Sequence, residues 1–312
     1  MTLDPIFQPI KLGTHTVPGI WRYLLPEDVF YFQVDPESRS SCFDCPQIKL
    51  ANFHPSIRCC AFIPRIPNFL LGMALYNQPT RPMISDYVKA GFAIPEGTQL
   101  SPTLLTDSLG HISPAHAAAK SLVCPFLDLD SKACRMYAFR NGVCSTFFCI
   151  HDRGDEGILF WEQLQDLISQ IETAIAQWAL AKAGFNLTDY FARFNGLSQN
   201  LSLCTDPHSK AWSVEARRLL FQEWFGRELE LFTLCADLVI AHKSELFTLA
   251  CQQKLLQTKQ YDAAAREVLL KTFAPALVRE SLPEGEPVAI QDLWYSVQLA
   301  HRNLQRSRLP LG

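Results

Sequence analysis

The sequence predicts an α+β, loop-rich protein in two parts: an irregular, metal-stapled cysteine module over residues 1–154 and an α-helical domain over residues 155–312. Three observations predict it. Prolines recur from Pro9 to Pro125 at intervals that break long helices. Eight of the 11 cysteines fall in that same half, so the part poorest in regular structure is richest in soft metal ligands. After residue 155 the apolar residues switch to three- and four-residue steps, the period of an amphipathic helix.

Taken in order, the run Val29-Phe30-Tyr31-Phe32-Gln33-Val34 reads as a strand, and Ser113 to Leu122 as a short helix with Pro114 at its first position. The stretch Arg153-Gly154-Asp155-Glu156-Gly157 reads as a linker. Beyond it Leu159, Phe160, Leu164, Leu167, Ile168, Ile171, Ile175 and Trp178 predict one helix that stops near Gly184. A second helical run begins after Ser213, an N-cap residue type, and continues through Leu219, Trp224, Leu231, Leu238 and Leu249 to about Lys254, with a break expected near His242. A third covers Tyr261 to Phe273, and the basic, proline-containing segment from His301 to Gly312 is expected to fray.

Composition narrows the function classes. Apolar residues make up 48% of the chain, charged residues 19%, and the formal net charge is −3, which leaves no broad basic surface to hold nucleic acid by counterion release. Met1-Thr2-Leu3-Asp4-Pro5 carries an acid where a signal peptide is basic, and no run of about eighteen uncharged apolar residues is present to span a bilayer. A cytoplasmic protein without a membrane or nucleic-acid partner is expected. Thiols stay reduced in that compartment, so clustered cysteines point to metal or redox chemistry rather than to disulfides.

The candidate ligands are Cys42, Cys45, Cys59, Cys60, Cys124, Cys134, Cys144 and Cys149. Cys42-Phe43-Asp44-Cys45 has the CxxC spacing that lets a turn aim two sulfurs at one metal. Cys59 and Cys60 are adjacent, and neighbouring side chains of an extended segment point to opposite faces, so two nearby sites use such a pair better than one. Eight thiolates divide into two sets of four, the number that a closed zinc site or a cubane cluster takes; a single site with spare thiols is the alternative. Four thiolates leave a site near a net charge of about −2, which Arg58, Arg135, Arg140 and Arg153 are placed in sequence to offset.

Cys124-Pro125-Phe126-Leu127, followed by Cys134, Cys144 and Cys149, resembles the YkgJ-type cysteine-cluster family, whose motif is written CxxCxxCC and which is described as zinc- or iron-chelating and includes flagellin lysine N-methylases. Arg140, Cys144, Phe147 and Cys149 match the family's RPxxCRxFxC, without its proline after the arginine and its arginine after the first cysteine. The N-terminal motif departs further, because Cys45 and Cys59 are far more widely separated than the pattern has them. The resemblance covers roughly residues 40 to 150 and implies an iron–sulfur cluster or zinc as cofactor. In the methylase branch it implies S-adenosylmethionine as methyl donor and a protein lysine as substrate. A metal that only staples the fold, with the helical half as a docking platform for a protein partner, is the non-enzymatic alternative.

His54 and His151 are possible replacement ligands, and His111 and His116 are not at the spacing of a zinc-binding helix. The sequence holds no HExxH, no GxG of a dinucleotide or phosphate loop, no CxxxCxxC and no GxSxG. Cys204, Cys235 and Cys251 have no partner at ligand spacing and are expected in the core, as are Trp161, Trp178, Trp212, Trp224, Phe221, Phe225 and Phe232.

Overall fold

The computed structural model describes residues 4–38, 60, 63–105, 123–198, 204–255 and 289–306. A 3-10 turn at Pro5–Phe7 leads into an antiparallel ribbon of β1 (Ile10–Leu12) and β2 (His15–Val17), with Ile10 opposite Val17 and Leu12 opposite His15. α1 (Trp21–Leu24), α2 (Asn68–Tyr76) and α3 (Arg81–Lys89) precede a second ribbon, β3 (Ala93–Ile94) with β4 (Gly97–Thr98). Then come α4 (Gly142–Thr146), α5 (Gly154–Lys182), α6 (Leu187–Ser198), α7 (Val214–Phe221), α8 (Glu228–Ala241), α9 (Leu246–Gln252) and α10 (Ile290–Arg306). Helix dominates the described residues and strand is confined to the two short ribbons, so the α+β expectation holds in a coarse sense.

α5 forms where the periodicity predicts it. Phe160, Leu164, Leu167, Ile168, Ile171 and Ile175 are fully buried, Asp155 and Glu156 sit in the first turn and Lys182 in the last, matching the helix dipole. It ends in a Schellman closure: the Gly184 N–H donates to the Ala181 carbonyl at 3.2 Å and the Phe185 N–H to Leu180 at 3.0 Å, with Gly184 at φ +98°. α10 lies along α5 through Leu293, Val297, Ala300 and Leu304, and α4 and α9 pack on other parts of the same helix. At 29 residues α5 runs for about 43 Å, long enough to serve all three.

The two sides of residue 155 share one core. Buried residues from Ile6 to Leu304 form a single cluster, and α2 packs on α8 more extensively than any other pair of elements. The stretch expected as a linker is the entry turn of α5. The prolines act as helix starters as much as breakers: Pro67 precedes α2 and Pro82 sits in the first turn of α3. Val29 to Val34 is not a strand. Pro26, Glu27 and Asp28 begin a 3-10 turn at Glu27–Tyr31, closed by Val29 N–H to Pro26 O and Phe32 N–H to Val29 O; Val29 is buried while Tyr31 is exposed.

Ser213 caps α7 as expected, its hydroxyl accepting from the Ala216 N–H at 3.0 Å. The run beyond it breaks twice, once near His242 as anticipated and once at residues 222–227, where Gln222 (φ +52°) and Gly226 (φ +83°) turn the chain. The end of α10 does not fray before Arg306: His301 stacks on Phe32 with ring centroids 4.0 Å apart, and Gln305 Nε2 donates to the Gln33 carbonyl at 2.6 Å. The helices expected at Ser113 to Leu122 and Tyr261 to Phe273 lie outside the described residues.

α2 is buried from Asn68 to Leu75, so it meets neighbours on all sides, and Gly72 is where α8 comes nearest. Helix propensity alone favours alanine at such a position by about 0.5–1 kcal/mol. A Cβ there would lie 1.9 Å from the Phe232 carbonyl oxygen, which is backbone and cannot swing aside. Overpacking costs about 1–3 kcal/mol, so the clash sets the sign. Gly72→Ala is expected to lower the urea midpoint; an unchanged or raised midpoint would mean that α2 and α8 do not approach this closely.

Candidate metal centre

The second cysteine block is shaped by a tight turn. The Cys124 N–H donates to the Cys60 carbonyl at 2.7 Å, joining two segments distant in sequence. Leu127 and Cys134 form an isolated antiparallel bridge, flanked by Asp128 N–H to Ala133 O and Arg135 N–H to Phe126 O, both 2.9 Å. The Asp128 carboxylate accepts from the Asp130 and Ser131 N–H groups and pairs with Arg135 at 3.1 Å, which closes the loop between the two cysteines. Phe126 points into the core and is 1% exposed. Cys144 rides on α4, where Asn141 acts as N-cap through Oδ1, accepting from the Cys144 N–H at 3.0 Å. Asn141 occupies the position where the resembled motif has proline.

Cys60, Cys124, Cys134 and Cys144 share one neighbourhood. The Cys144 thiol feels Cys60, Cys124 and Cys134, and Cys124 feels Cys60 and Cys134. Burial is the main influence on each described member whose ionisation is displaced: it pushes Cys124 up to about 12 and raises Cys134 and Cys144. Burial thus disfavours the thiolate forms of Cys124, Cys134 and Cys144. Backbone N–H groups oppose it at Cys124 (Phe126 and Leu127) and Cys134 (Met136), and the charge of Arg140 favours the thiolate forms of Cys134 and Cys144. Its guanidinium donates to the carbonyls of Tyr137, Cys144 and Thr16 at 3.2, 3.3 and 3.2 Å and lies 3.9 Å from the Tyr137 ring centroid. Arg135 and Arg153 pair instead with Asp128 and Asp35.

Four of the eight sequence-derived ligands are thus neighbours. Among the described residues, however, no group of three or more His, Cys, Asp or Glu side chains is placed so that it could hold a metal ion. Cys42, Cys45 and Cys59 lie outside the described residues, as do Arg58, His54, His111 and His116. Cys149 is partly buried and follows Phe148 in the chain. Phe148, His15 and Trp161 pack with centroids 4.7–4.9 Å apart. Glu37, 9% exposed, accepts from Trp161 Nε1 at 2.8 Å and from the Asp152 N–H at 2.6 Å, with His151 Nδ1 3.6 Å away. Cys204 and Cys235 are fully buried and Cys251 partly so, consistent with packing.

Sequence reasoning missed Glu37 and a second buried acid, Glu172. Glu172 was detectable: a carboxylate between Ile168, Ile171 and Ile175 interrupts the apolar face of α5. Glu37 carried no such signal, because its partners come from a distant segment. The chain matches no family model, no curated protein and no solved structure. No helix among the described residues is long and apolar enough to cross a membrane.

Burial by itself raises the pKa of Glu37, but the nearby His151 ring and hydrogen bonds from the Asp152 N–H and Trp161 outweigh it and hold the carboxyl below its ordinary 4.5. A folded-state value below the unfolded one contributes stability above the unfolded pKa, and that stability disappears as pH falls through the folded value. Glu37→Gln is therefore expected to be about 1–3 kcal/mol less stable than the parent near pH 7, with a smaller gap at about pH 3. Urea melts at the two pH values check this, and a gap that stays constant would remove the ionic role of Glu37.

Proposed function

We infer that this chain is a cysteine-cluster metal protein in which Cys60, Cys124, Cys134 and Cys144 hold an iron–sulfur cluster or a zinc ion. The observation that supports the reading is that the Cys144 thiol lies within electrostatic reach of Cys60, Cys124 and Cys134, which come from separate stretches of chain, and of Arg140. Their chemistry fits a soft cation: four sulfur donors match the ligand count of both alternatives, and a bound cation would stabilise the thiolates that burial disfavours. When bound, such a centre supplies either folding energy or one-electron chemistry.

The residues have defined parts in this reading. The Asp128 turn sets the separation of Cys124 from Cys134, the Asn141 cap orients α4 and with it Cys144, and Arg140, fixed by three backbone carbonyls, offsets the negative charge of the thiolates. The remaining sequence-derived ligands, Cys42, Cys45, Cys59 and Cys149, number four, enough for a second centre of the same kind. A reducing, cytoplasmic setting suits a chain that keeps so many free thiols.

Metal analysis tests the reading. Protein purified without oxygen is expected to carry about one or two centres per chain, brown if iron–sulfur and colourless if zinc. Cys124→Ala and Cys144→Ala are expected to lose metal and to melt lower, whereas Cys235→Ala keeps its metal. Metal-free wild-type protein with an unchanged melting temperature would overturn the assignment. Saturable binding of S-adenosylmethionine, measured by calorimetry, separates the methylase form of this reading from a purely structural centre.

A further inference from the structure

Tyr87, in the last turn of α3, packs beside the turn that carries Cys124. Its ring meets that of Phe126 edge-on with centroids 5.3 Å apart and stacks on Phe92 at 5.0 Å. Phe126 follows Cys124 closely in the chain and is anchored in the core, so the tyrosine ring is held against the thiol-bearing segment. The Tyr87 hydroxyl is shielded from water and has no hydrogen-bond partner among the described residues. The ionisable group that reaches this hydroxyl electrostatically is Cys124.

A hydroxyl buried without an acceptor is destabilising, and a phenylalanine would offer the same ring to Phe126 and Phe92 without that cost. Packing therefore does not account for the oxygen. Water cannot serve as its partner, because the oxygen is out of water's reach. A neutral thiol accepts a hydrogen bond only weakly, whereas a thiolate is charged and a far better acceptor. Resting on the reading of Cys124 as a metal ligand, we propose that Tyr87 is a positioning residue of the metal centre, whose hydroxyl donates a hydrogen bond to the ionised Cys124 sulfur. Groups that hydrogen-bond a ligand from outside the coordination shell orient it and set how tightly the metal is held.

The hydroxyl is suited to donate. Burial first, and the charge of Cys124 second, raise its pKa above the ordinary 10.0, so it keeps its proton at neutral pH. Arg140 favours the thiolates of Cys134 and Cys144, whereas at Cys124 the groups that favour the thiolate are the backbone N–H groups of Phe126 and Leu127. Tyr87 adds a third donor at the thiol that burial pushes up to about 12.

The test is titration of the reduced, chelator-treated full-length protein with divalent cobalt, whose thiolate-to-metal charge-transfer band reports on the sulfurs directly, with affinity measured by competition against a chelator. Tyr87→Phe is expected to bind cobalt with the wild-type stoichiometry but about tenfold or more weakly. Its band should move to longer wavelength, because a thiolate that has lost a hydrogen bond gives up its electron more readily. Without metal, the variant's urea midpoint should be unchanged or raised, since an unsatisfied group has been removed. Wild-type protein that takes up no cobalt overturns the cysteine reading and this proposal together. Uptake by both proteins with equal affinity and the same band overturns this proposal alone, as does weaker binding with a lowered metal-free midpoint and an unmoved band, the mark of a merely structural role. If Tyr87→Phe gives no cooperative melt, the wild type decides by NMR with a magnetically active cadmium isotope at the thiols: scalar coupling of a tyrosine hydroxyl proton to cadmium supports the hydrogen bond, and no coupling overturns it.

Discussion

The apolar face of α5 is the constraint on which the rest of the molecule depends. Phe160, Leu164, Leu167, Ile168, Ile171 and Ile175 present a continuous stripe, and each fully buried side chain of this kind is worth about 1.5–3 kcal/mol. α10 covers part of it and α4 another part, so the helix that carries Cys144 is held by the same surface that holds the C-terminal helix. This is why a chain whose composition changes sharply near residue 155 nevertheless has one core. The proline-rich half contributes α2, apolar on all sides, and α2 needs partners from the helical half to be buried.

The cysteine neighbourhood follows from that scaffold. Asn141 caps a helix only five residues long, and α4 is too short to persist without its packing on α5. Cys124 and Cys134 are set by a turn whose hydrogen bonds converge on one aspartate, and Phe126 anchors that turn in the core. Cys134 and Cys144 consequently sit where desolvation disfavours the thiolate, with the Arg140 guanidinium among the groups biased the other way. A cation able to bind several sulfurs would act on all of these groups at once, which is the physical content of the metal reading.

Two buried carboxyls show how local donors decide between opposite outcomes. Glu37 and Glu172 both suffer desolvation, yet Glu37 lies below its ordinary value and Glu172 near 8. The difference is burial and donors together: Glu37 is less deeply buried and accepts from Trp161 and a backbone N–H with the His151 ring nearby, whereas Glu172 is more deeply buried and has one backbone N–H. The first is a satisfied structural clamp tying residues 35–38 to residues 151–153. The second keeps one buried oxygen without a hydrogen-bond partner among the described residues.

Periodicity and local chemistry made α5, the Ser213 cap, the stop at Gly184 and the break near His242 legible in the residues, because each depends on neighbours within about a turn of helix. The same local reasoning failed at Val29 to Val34, where apolar content suggested a strand but the Pro26-Glu27-Asp28 start favoured a 3-10 turn. It also joined α7 to α8 across Gln222 and Gly226. The grouping of cysteines by type and spacing was visible in the sequence. That Cys60, Cys124, Cys134 and Cys144 are neighbours, that Arg140 rather than Arg135 or Arg153 faces them, and that Glu37 and Glu172 end in contrasting surroundings were decided by tertiary packing. These are relations between groups distant along the chain, set by which surfaces are buried together, and no local pattern of residues encodes them.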